Sequence, residues 1–291
     1  MTALPVDVVA RIERLELAAR AIVDGYLAGR HRSPRHGFAV EFAQHREYSP
    51  GDDLRHIDWK VFGRTERHHI KQYEQETNLV AWLLVDASDS MRYGSGDPNK
   101  FDTAATLATA LTMLITRQSD AVGLATFASG TLNRLKPSSS PAQVKEVLRT
   151  LATGTVEGTG NAGAAVDDLA GRLGRRAVVM VFSDFFDDVA PLANALKHLK
   201  YQKHDIVVVQ VLDAAELDFP FRHPTLFKGL EALPEITADP LSVRGEYLAG
   251  LNTHLNELSE TCRKLEVDLL RIRTDADLGR ELALYLNMRS V

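Results

Sequence analysis

One stretch, residues 79–92, constrains the fold more than any other part of the chain. It begins with an unbroken apolar run, residues 79–85, and continues into the polar turn Asp-Ala-Ser-Asp-Ser at residues 86–90. An apolar run of this length without polar alternation is typical of a strand that is buried on both faces of a parallel sheet. Asp86 then lies at the carboxyl end of that strand, where open α/β sheets bind ligands. The alternative is that Asp86 only caps the turn.

Further apolar runs alternate with helical patterns along the rest of the chain. The predicted strands are residues 121–128, 177–182, 206–212 and 267–272, with a hairpin partner at residues 132–135. The intervening apolar residues recur every three or four positions, which is the spacing of helices that bury one face. Strands that alternate with helices predict an α/β fold, namely a doubly wound, mainly parallel, Rossmann-like sheet.

The N-terminal part of the chain differs from this pattern. Residues 6–27 have helical spacing, and residues 38–77 are rich in polar and aromatic residues with a strong turn signal at residues 49–52. We therefore expect residues 1–77 to form a helix and a small irregular β subdomain, and residues 78–291 to form the main domain. The charged block between Gly51 and Lys60 either braces the main domain or binds a partner, and the sequence leaves both open.

Composition excludes several classes of protein. The net charge of -5 gives no reason to expect binding to nucleic acid. Cys262 is the only cysteine, so no disulfide can form within the chain, which fits a reducing compartment. No apolar run approaches the length of about 18 residues that spans a bilayer, and the N-terminus does not resemble a secretory signal. We expect a cytoplasmic protein that does not insert into membranes.

Oxygen-bearing side chains are predicted to converge at the carboxyl ends of two strands. Asp86, Ser88 and Ser90 follow the first strand, Asp184 follows a later one, and Thr159 lies in a glycine-rich loop between them. The two strands can be neighbours where the strand order reverses, which would bring two mutually repelling carboxylates together. A divalent cation removes that repulsion, and oxygen ligands suit Mg²⁺ or another hard ion such as Mn²⁺ or Ca²⁺.

This pattern resembles the metal-ion-dependent adhesion site of von Willebrand factor A domains. The resemblance rests on D-x-S-x-S at residues 86–90, a threonine in a glycine-rich loop, and an aspartate that ends a later strand. It implies that Asp86, Ser88, Ser90, Thr159 and Asp184 are the metal ligands. The threonine loop departs from the family pattern because Gly160 separates Thr159 from Asn161, and Thr155 is a second candidate.

The segment REYSPGDDLRHIDWKVFGRTERHHIKQYEQE, followed by VDASDSM, is similar to the bacterial family called domain of unknown function 58. Members of that family resemble von Willebrand A proteins associated with MoxR-type AAA+ ATPases. The resemblance therefore implies a partner or adaptor of such an ATPase. The chain has no G-x-x-x-x-G-K-[ST] motif, so it is not itself expected to be a P-loop ATPase.

Three functions are compatible with these residues. The first, which we favour, is a non-enzymatic interaction module in which a divalent ion bridges the chain to an Asp or Glu of the ATPase or of a client protein. The second is a Mg²⁺-dependent phosphohydrolase with Asp86 as nucleophile and with Asp187 or Asp188 helping Asp184 to hold the metal. That chemistry needs an acid two residues after the nucleophile, where this chain has Ser88. The third is a structural module without a bound ion.

Overall fold

The computed structural model describes residues 5–30, 45–47, 69–71, 79–174, 176–231 and 234–289. The chain forms two compact units, one of residues 1–33 with 79–289 and the other of residues 34–78. In the second unit, strand β1 (His45–Glu47) pairs antiparallel with strand β2 (His69–Lys71). The block from Gly51 to Lys60 lies outside the described residues, and its role stays a hypothesis.

The larger unit contains the remaining helices and strands. They are α1 (Val6–Arg30), β3 (Val80–Asp86), α2 (Lys100–Arg117), β4 (Ala121–Ala128), β5 (Thr131–Ser138), α3 (Ala142–Thr153), α4 (Ala162–Ala170), β6 (Val178–Ser183), α5 (Val189–Tyr201), β7 (Asp205–Leu212), α6 (Ala214–Asp218), β8 (Thr225–Phe227), β9 (Ile236–Ala238), α7 (Pro240–Lys264), β10 (Asp268–Arg273) and α8 (Leu278–Arg289). A short 3-10 helix, Asp89–Arg92, follows β3.

Six of these strands form one sheet in the order β10-β7-β6-β3-β4-β5. All neighbouring strands are parallel except β5, which pairs antiparallel with β4 at one edge. The chain builds the sheet outward from β3 in one direction and then returns to place β6 on the other side of β3. The doubly wound, mainly parallel sheet predicted from the sequence is confirmed, and its order reverses between β3 and β6.

The sheet has a hydrophobic core on both faces, as the apolar runs predict. Leu83 and Val85 of β3 belong to one core, whereas Leu84 belongs to the other. Helices α1, α2, α3 and α8 contribute to the first core, and α4, α5 and α7 contribute to the second. Because neighbouring residues of a strand point to opposite faces, a two-sided core requires the continuous apolar run at residues 79–85.

Helix α1 belongs to the same compact unit as the sheet. Its buried residues Leu15, Ala19, Ile22 and Val23 join the first core, and the helix packs against α2, α3 and α8. The sequence-based division at residue 77 grouped this helix with the residues that follow it. That division stays a prediction as a whole, but the contacts of α1 are with the sheet domain, because its apolar face completes the core there.

Among the described residues, no helix combines the length and the apolar composition needed to cross a bilayer. Helix α7 is as long as α1 at 25 residues, but only its apolar side is buried. The cytoplasmic location expected from the sequence stays a prediction.

Candidate metal centre

Asp86 is the last residue of β3 and is held in one orientation by two hydrogen bonds. Its Oδ1 accepts the backbone N–H of Ser88 at 2.9 Å, and its Oδ2 accepts the hydroxyl of Ser183 at 2.6 Å. The side chain lies at the point where the strand order reverses and is only 2% exposed. A carboxylate placed in this way is the fixed polar end of an otherwise apolar strand.

The two serines of the turn converge beside Asp86. The 3-10 helix that begins at Asp89 turns the chain back, so that the hydroxyl oxygens of Ser88 and Ser90 lie 3.1 Å apart. Neighbouring ligands of an octahedral Mg²⁺ ion, each about 2.1 Å from the metal, are about 3 Å apart. The spacing of the two hydroxyls therefore fits adjacent positions of such an ion.

The glycine-rich loop before α4 lies directly on this turn. The backbone N–H of Asp89 donates to the Gly158 carbonyl at 2.8 Å, and the Gly158 N–H donates back to Asp89 Oδ2 at 3.1 Å. Gly158 has a φ of 88°, a conformation that residues with a Cβ rarely adopt. The carbonyl of Thr159 accepts the N–H of Ser129 at 2.8 Å, which fixes the other side of the loop.

Gly160 brings this loop into contact with the carboxylate and the buried serine. A Cβ at this position would lie 3.2 Å from Ser88 Oγ and 3.3 Å from Asp86 Oδ2. The loop thus places Thr159 next to the site, with an exposed side chain, and its role as a ligand stays a prediction. Thr155, the second candidate, instead lines a separate cavity of about 540 Å³.

Asp184 reaches the same edge of the sheet from the neighbouring strand. Strands β3 and β6 are parallel, with Val85 opposite Phe182, so the residues that follow each strand end side by side. Asp184 is 3% exposed, and its negative charge is one of the causes that raise the pKa of Asp86. The proximity of the two carboxylates that the sequence predicted is therefore observed.

A buried lysine that the sequence did not predict contacts Asp184. Lys100 Nζ lies 2.7 Å from Asp184 Oδ2 and 2.7 Å from Glu216 Oε1, and the lysine side chain is 1% exposed. The other oxygen of Asp184, Oδ1, accepts the N–H of Phe186 at 3.3 Å. Burial acts to lower the pKa of Lys100, but the two carboxylates outweigh it and the pKa is raised.

The electrostatics of Asp86 favour a cation. Burial raises its pKa to about 7, the Ser183 hydroxyl opposes this rise, and the charge of Asp184 adds to it. Ionisation of this buried carboxylate therefore has a cost in free energy that a bound cation would offset. The site fits a hard divalent ion. It offers a carboxylate, two hydroxyl oxygens at the spacing of adjacent ligands, and a glycine that lets the loop approach them closely.

The aspartates that the hydrolase hypothesis needs have other contacts. Asp187 Oδ2 accepts the N–H of Ala162 at 3.3 Å, at the start of α4. Asp188 caps α5 by accepting the N–H of Ala190 at 3.0 Å. Both carboxylates thus satisfy helix N-termini, and Ser88 occupies the position where that chemistry needs an acid.

Three residues of the site were missed by sequence reasoning. Ser183 could have been found, because it directly precedes Asp184 at the end of a predicted strand. Lys100 and Glu216 are 116 residues apart and carried no local signal of their contact. Among the described residues, no group of three or more His, Cys, Asp or Glu side chains has the arrangement of a metal site, so the candidate centre depends on the serine hydroxyls.

Solved structures with similar folds include several from bacteria. An aerotolerance-related membrane protein from Bacteroides fragilis is 18% identical, with a TM-score of 0.47, over 72% of this chain and 97% of that chain. BatB, described as a conserved hypothetical protein from Bacteroides thetaiotaomicron, is 16% identical, with a TM-score of 0.46, over 72% and 98% of the two chains. The VWA domain of SpRpn10 is 15% identical, with a TM-score of 0.40, over 70% and 93%.

Sequence comparison gives relatives over almost the whole chain. Uncharacterized proteins from Mycobacterium bovis and Mycobacterium tuberculosis are 28% identical over 287 residues, which is 96% of this chain and 89% of theirs. The family described as protein of unknown function DUF58 matches residues 44–255. That match includes β3, the turn that carries Asp86, the glycine-rich loop and the Asp184 segment, and it confirms the family resemblance predicted from the sequence. The chain belongs to the DUF58 family.

Proposed function

We propose that this protein is a metal-ion-dependent interaction module that binds an acidic residue of a partner protein through a divalent cation. The observation that carries the proposal is the proximity of Asp86, Ser88, Ser90 and Asp184 at the point where the strand order reverses. Open α/β sheets bind ligands in this crevice. The VWA-like architecture is consistent with a role in protein interaction.

Each residue of the proposed site has a distinct role. Asp86 and the hydroxyls of Ser88 and Ser90 would hold the ion. Thr159 stays the predicted ligand from the loop, and Asp184 the predicted ligand from the end of β6. Ser183 orients Asp86 through its 2.6 Å hydrogen bond. A bound Mg²⁺ would keep a coordination position open, and a carboxylate of the partner would occupy it.

The surface beside the site offers an apolar contact for a partner. Phe186 is 41% exposed although it follows a buried residue, Phe185. Phe185 has a φ of 54°, which is rare for a residue with a side chain, and its carbonyl accepts a hydrogen bond from His254 at 2.6 Å. The hydrogen bond to Phe185 fixes the backbone that carries Phe186 beside Asp184. Exposed aromatic residues are frequent anchors of interfaces.

A MoxR-type AAA+ ATPase, or a client protein of such an ATPase, is the partner we propose. This part of the proposal rests on the resemblance of the sequence to DUF58 proteins and on membership of that family. The chain has no phosphate-binding P-loop of its own, so nucleotide hydrolysis would come from the partner.

The proposal is tested by measuring the affinity of the purified chain for a MoxR-type ATPase from the same organism, once with Mg²⁺ and once with EDTA. We expect binding that requires Mg²⁺ and that Asp86→Asn weakens by about tenfold or more, or about 1.4 kcal/mol. The loss follows because the substitution removes the negative charge of the buried carboxylate that Ser88 and Ser183 orient at the site.

The matched control is Asp205→Asn, which removes an aspartate at the start of β7, at the opposite end of the parallel strands from Asp86. Asp205 is partly exposed and pairs with Arg176 at 3.2 Å, so its loss should leave the affinity unchanged. Equal affinity in Mg²⁺ and in EDTA, or wild-type affinity for the Asp86 variant, would refute the proposal.

A further inference from the structure

The ammonium group of Lys100 is a feature of the site that a metal-binding role does not explain. It is a buried positive charge that lies 2.7 Å from a carboxylate oxygen of Asp184 and 2.7 Å from one of Glu216. The aromatic rings of Phe186 and Tyr93 cover it, with ring centres 5.1 Å and 5.8 Å from Nζ. A cation that is shielded from water in this way acts strongly on charges nearby.

The charges around Asp184 are partly balanced within the chain. Asp86, Asp184 and Glu216 are three carboxylates, and Lys100 is the ammonium that offsets part of their charge. A divalent ion held at Asp86 would experience both the attraction of Asp184 and the repulsion of Lys100. Since Asp184 Oδ2 already accepts a hydrogen bond from Lys100, that oxygen would have to leave the ammonium to contact an ion directly.

We propose that Lys100 is an internal counter-ion that weakens divalent-cation binding at the Asp86 site by offsetting the charge of Asp184. Lys100 is then a positioning residue that sets metal affinity without contacting the ion. The inference deepens the proposed function and rests on it. Its consequence is that the chain alone binds the ion weakly, so that the carboxylate of a partner adds charge that the site lacks.

Two substitutions should shift the affinity in opposite directions. Lys100→Met removes the positive charge and should tighten Mn²⁺ binding by about tenfold or more. Glu216→Gln removes a negative charge, leaves Lys100 to act on Asp184 alone, and should weaken binding by about threefold or more. A lysine that only held the fold together would not produce a gain with one variant and a loss with the other.

The affinities are measured on the full chain by the paramagnetic resonance signal of free Mn²⁺, at one pH and one ionic strength. Circular dichroism of each variant establishes that it is folded. Glu216→Gln keeps Lys100, so it tests the inference even if Lys100→Met does not fold. The matched control is Lys197→Met on α5, because Lys197 is exposed and its loss should not change the affinity.

The double variant Lys100→Met with Asp86→Asn assigns the tightened binding to the site. If Lys100→Met binds Mn²⁺ more tightly and the double variant does not bind, the inference is supported, even if the wild-type chain binds too weakly to support the proposed function. If the wild-type chain binds through Asp86 but Lys100→Met is no tighter, or both single variants shift the same way, the inference is wrong and the proposed function stands. Absence of binding by wild type and all variants overturns both.

Discussion

Asp86→Asn is expected to make the metal-free protein more stable at about pH 8, by as much as about 4 kcal/mol. Burial raises the pKa of Asp86 to about 7, whereas an aspartate in the unfolded chain has a pKa of 3.8. The folded protein therefore binds this proton more tightly. The associated stability is fully present below the unfolded pKa and is lost as the pH rises through about 7. Asparagine carries no charge, so it avoids this loss.

Asparagine can also keep the hydrogen bonds of Asp86. Its side-chain oxygen can accept the Ser88 N–H, and its amide can donate to the Ser183 hydroxyl oxygen. Urea unfolding in EDTA at a series of pH values measures the effect. The advantage of the variant over wild type should be largest at about pH 8 and should shrink to less than about 1 kcal/mol at about pH 4. If the variant is no more stable than wild type, or if its added stability does not depend on pH, Asp86 does not carry a buried charge as described.

Lys100→Met is expected to destabilise the protein by about 3–5 kcal/mol. The substitution leaves the buried carboxylates of Asp184 and Glu216 without the ammonium that both contact at 2.7 Å. Unpaired buried charges cost more than the ion pair itself contributes, so the loss comes from the carboxylates that remain. A domain has a stability of about 5–15 kcal/mol, so the variant should stay folded in buffer.

The same urea experiment at neutral pH measures this loss. Adding Glu216→Gln to Lys100→Met should recover part of it, because only one carboxylate then remains unpaired. Lys197→Met, which removes an exposed lysine, should stay within about 0.5 kcal/mol of wild type. A Lys100 variant as stable as this control would show that the buried ion pairs contribute nothing to the fold.

The framework of the fold could be predicted from the sequence because it depends on local patterns. The strand at residues 121–128 was predicted with the bounds that the structure gives β4, and the apolar run at residues 79–85 marks β3 to within one residue. The alternation of strands and helices predicted a doubly wound sheet, in which the strands that end near Asp86 and Asp184 can be neighbours where the order reverses, as the structure shows. That order was sufficient to bring Asp86 and Asp184 to one edge of the sheet.

The details of the site depend on contacts between distant parts of the chain. Lysine is among the residues that are least often buried, so Lys100 at the start of a helix gave no reason to expect an ion pair inside the protein. Glu216 comes from α6, a helix of only five residues after β7, which is too short to leave a periodic pattern in the sequence. The packing of α1 on the sheet domain likewise could not be predicted, because the sequence does not show which helices its apolar face contacts.

The central claim is that carboxylate and hydroxyl oxygens from separate turns hold one divalent ion, and Mg²⁺ binding by the isolated chain tests it most directly. Isothermal titration of the wild-type chain, of Asp86→Asn and of Asp205→Asn gives the number of sites and their affinity. At saturating Mg²⁺, the site described above requires one weakly bound Mg²⁺ per wild-type chain, the same for Asp205→Asn, and none for Asp86→Asn. Wild-type protein that takes up no ion, or an Asp86 variant that binds Mg²⁺ as wild type does, would contradict it.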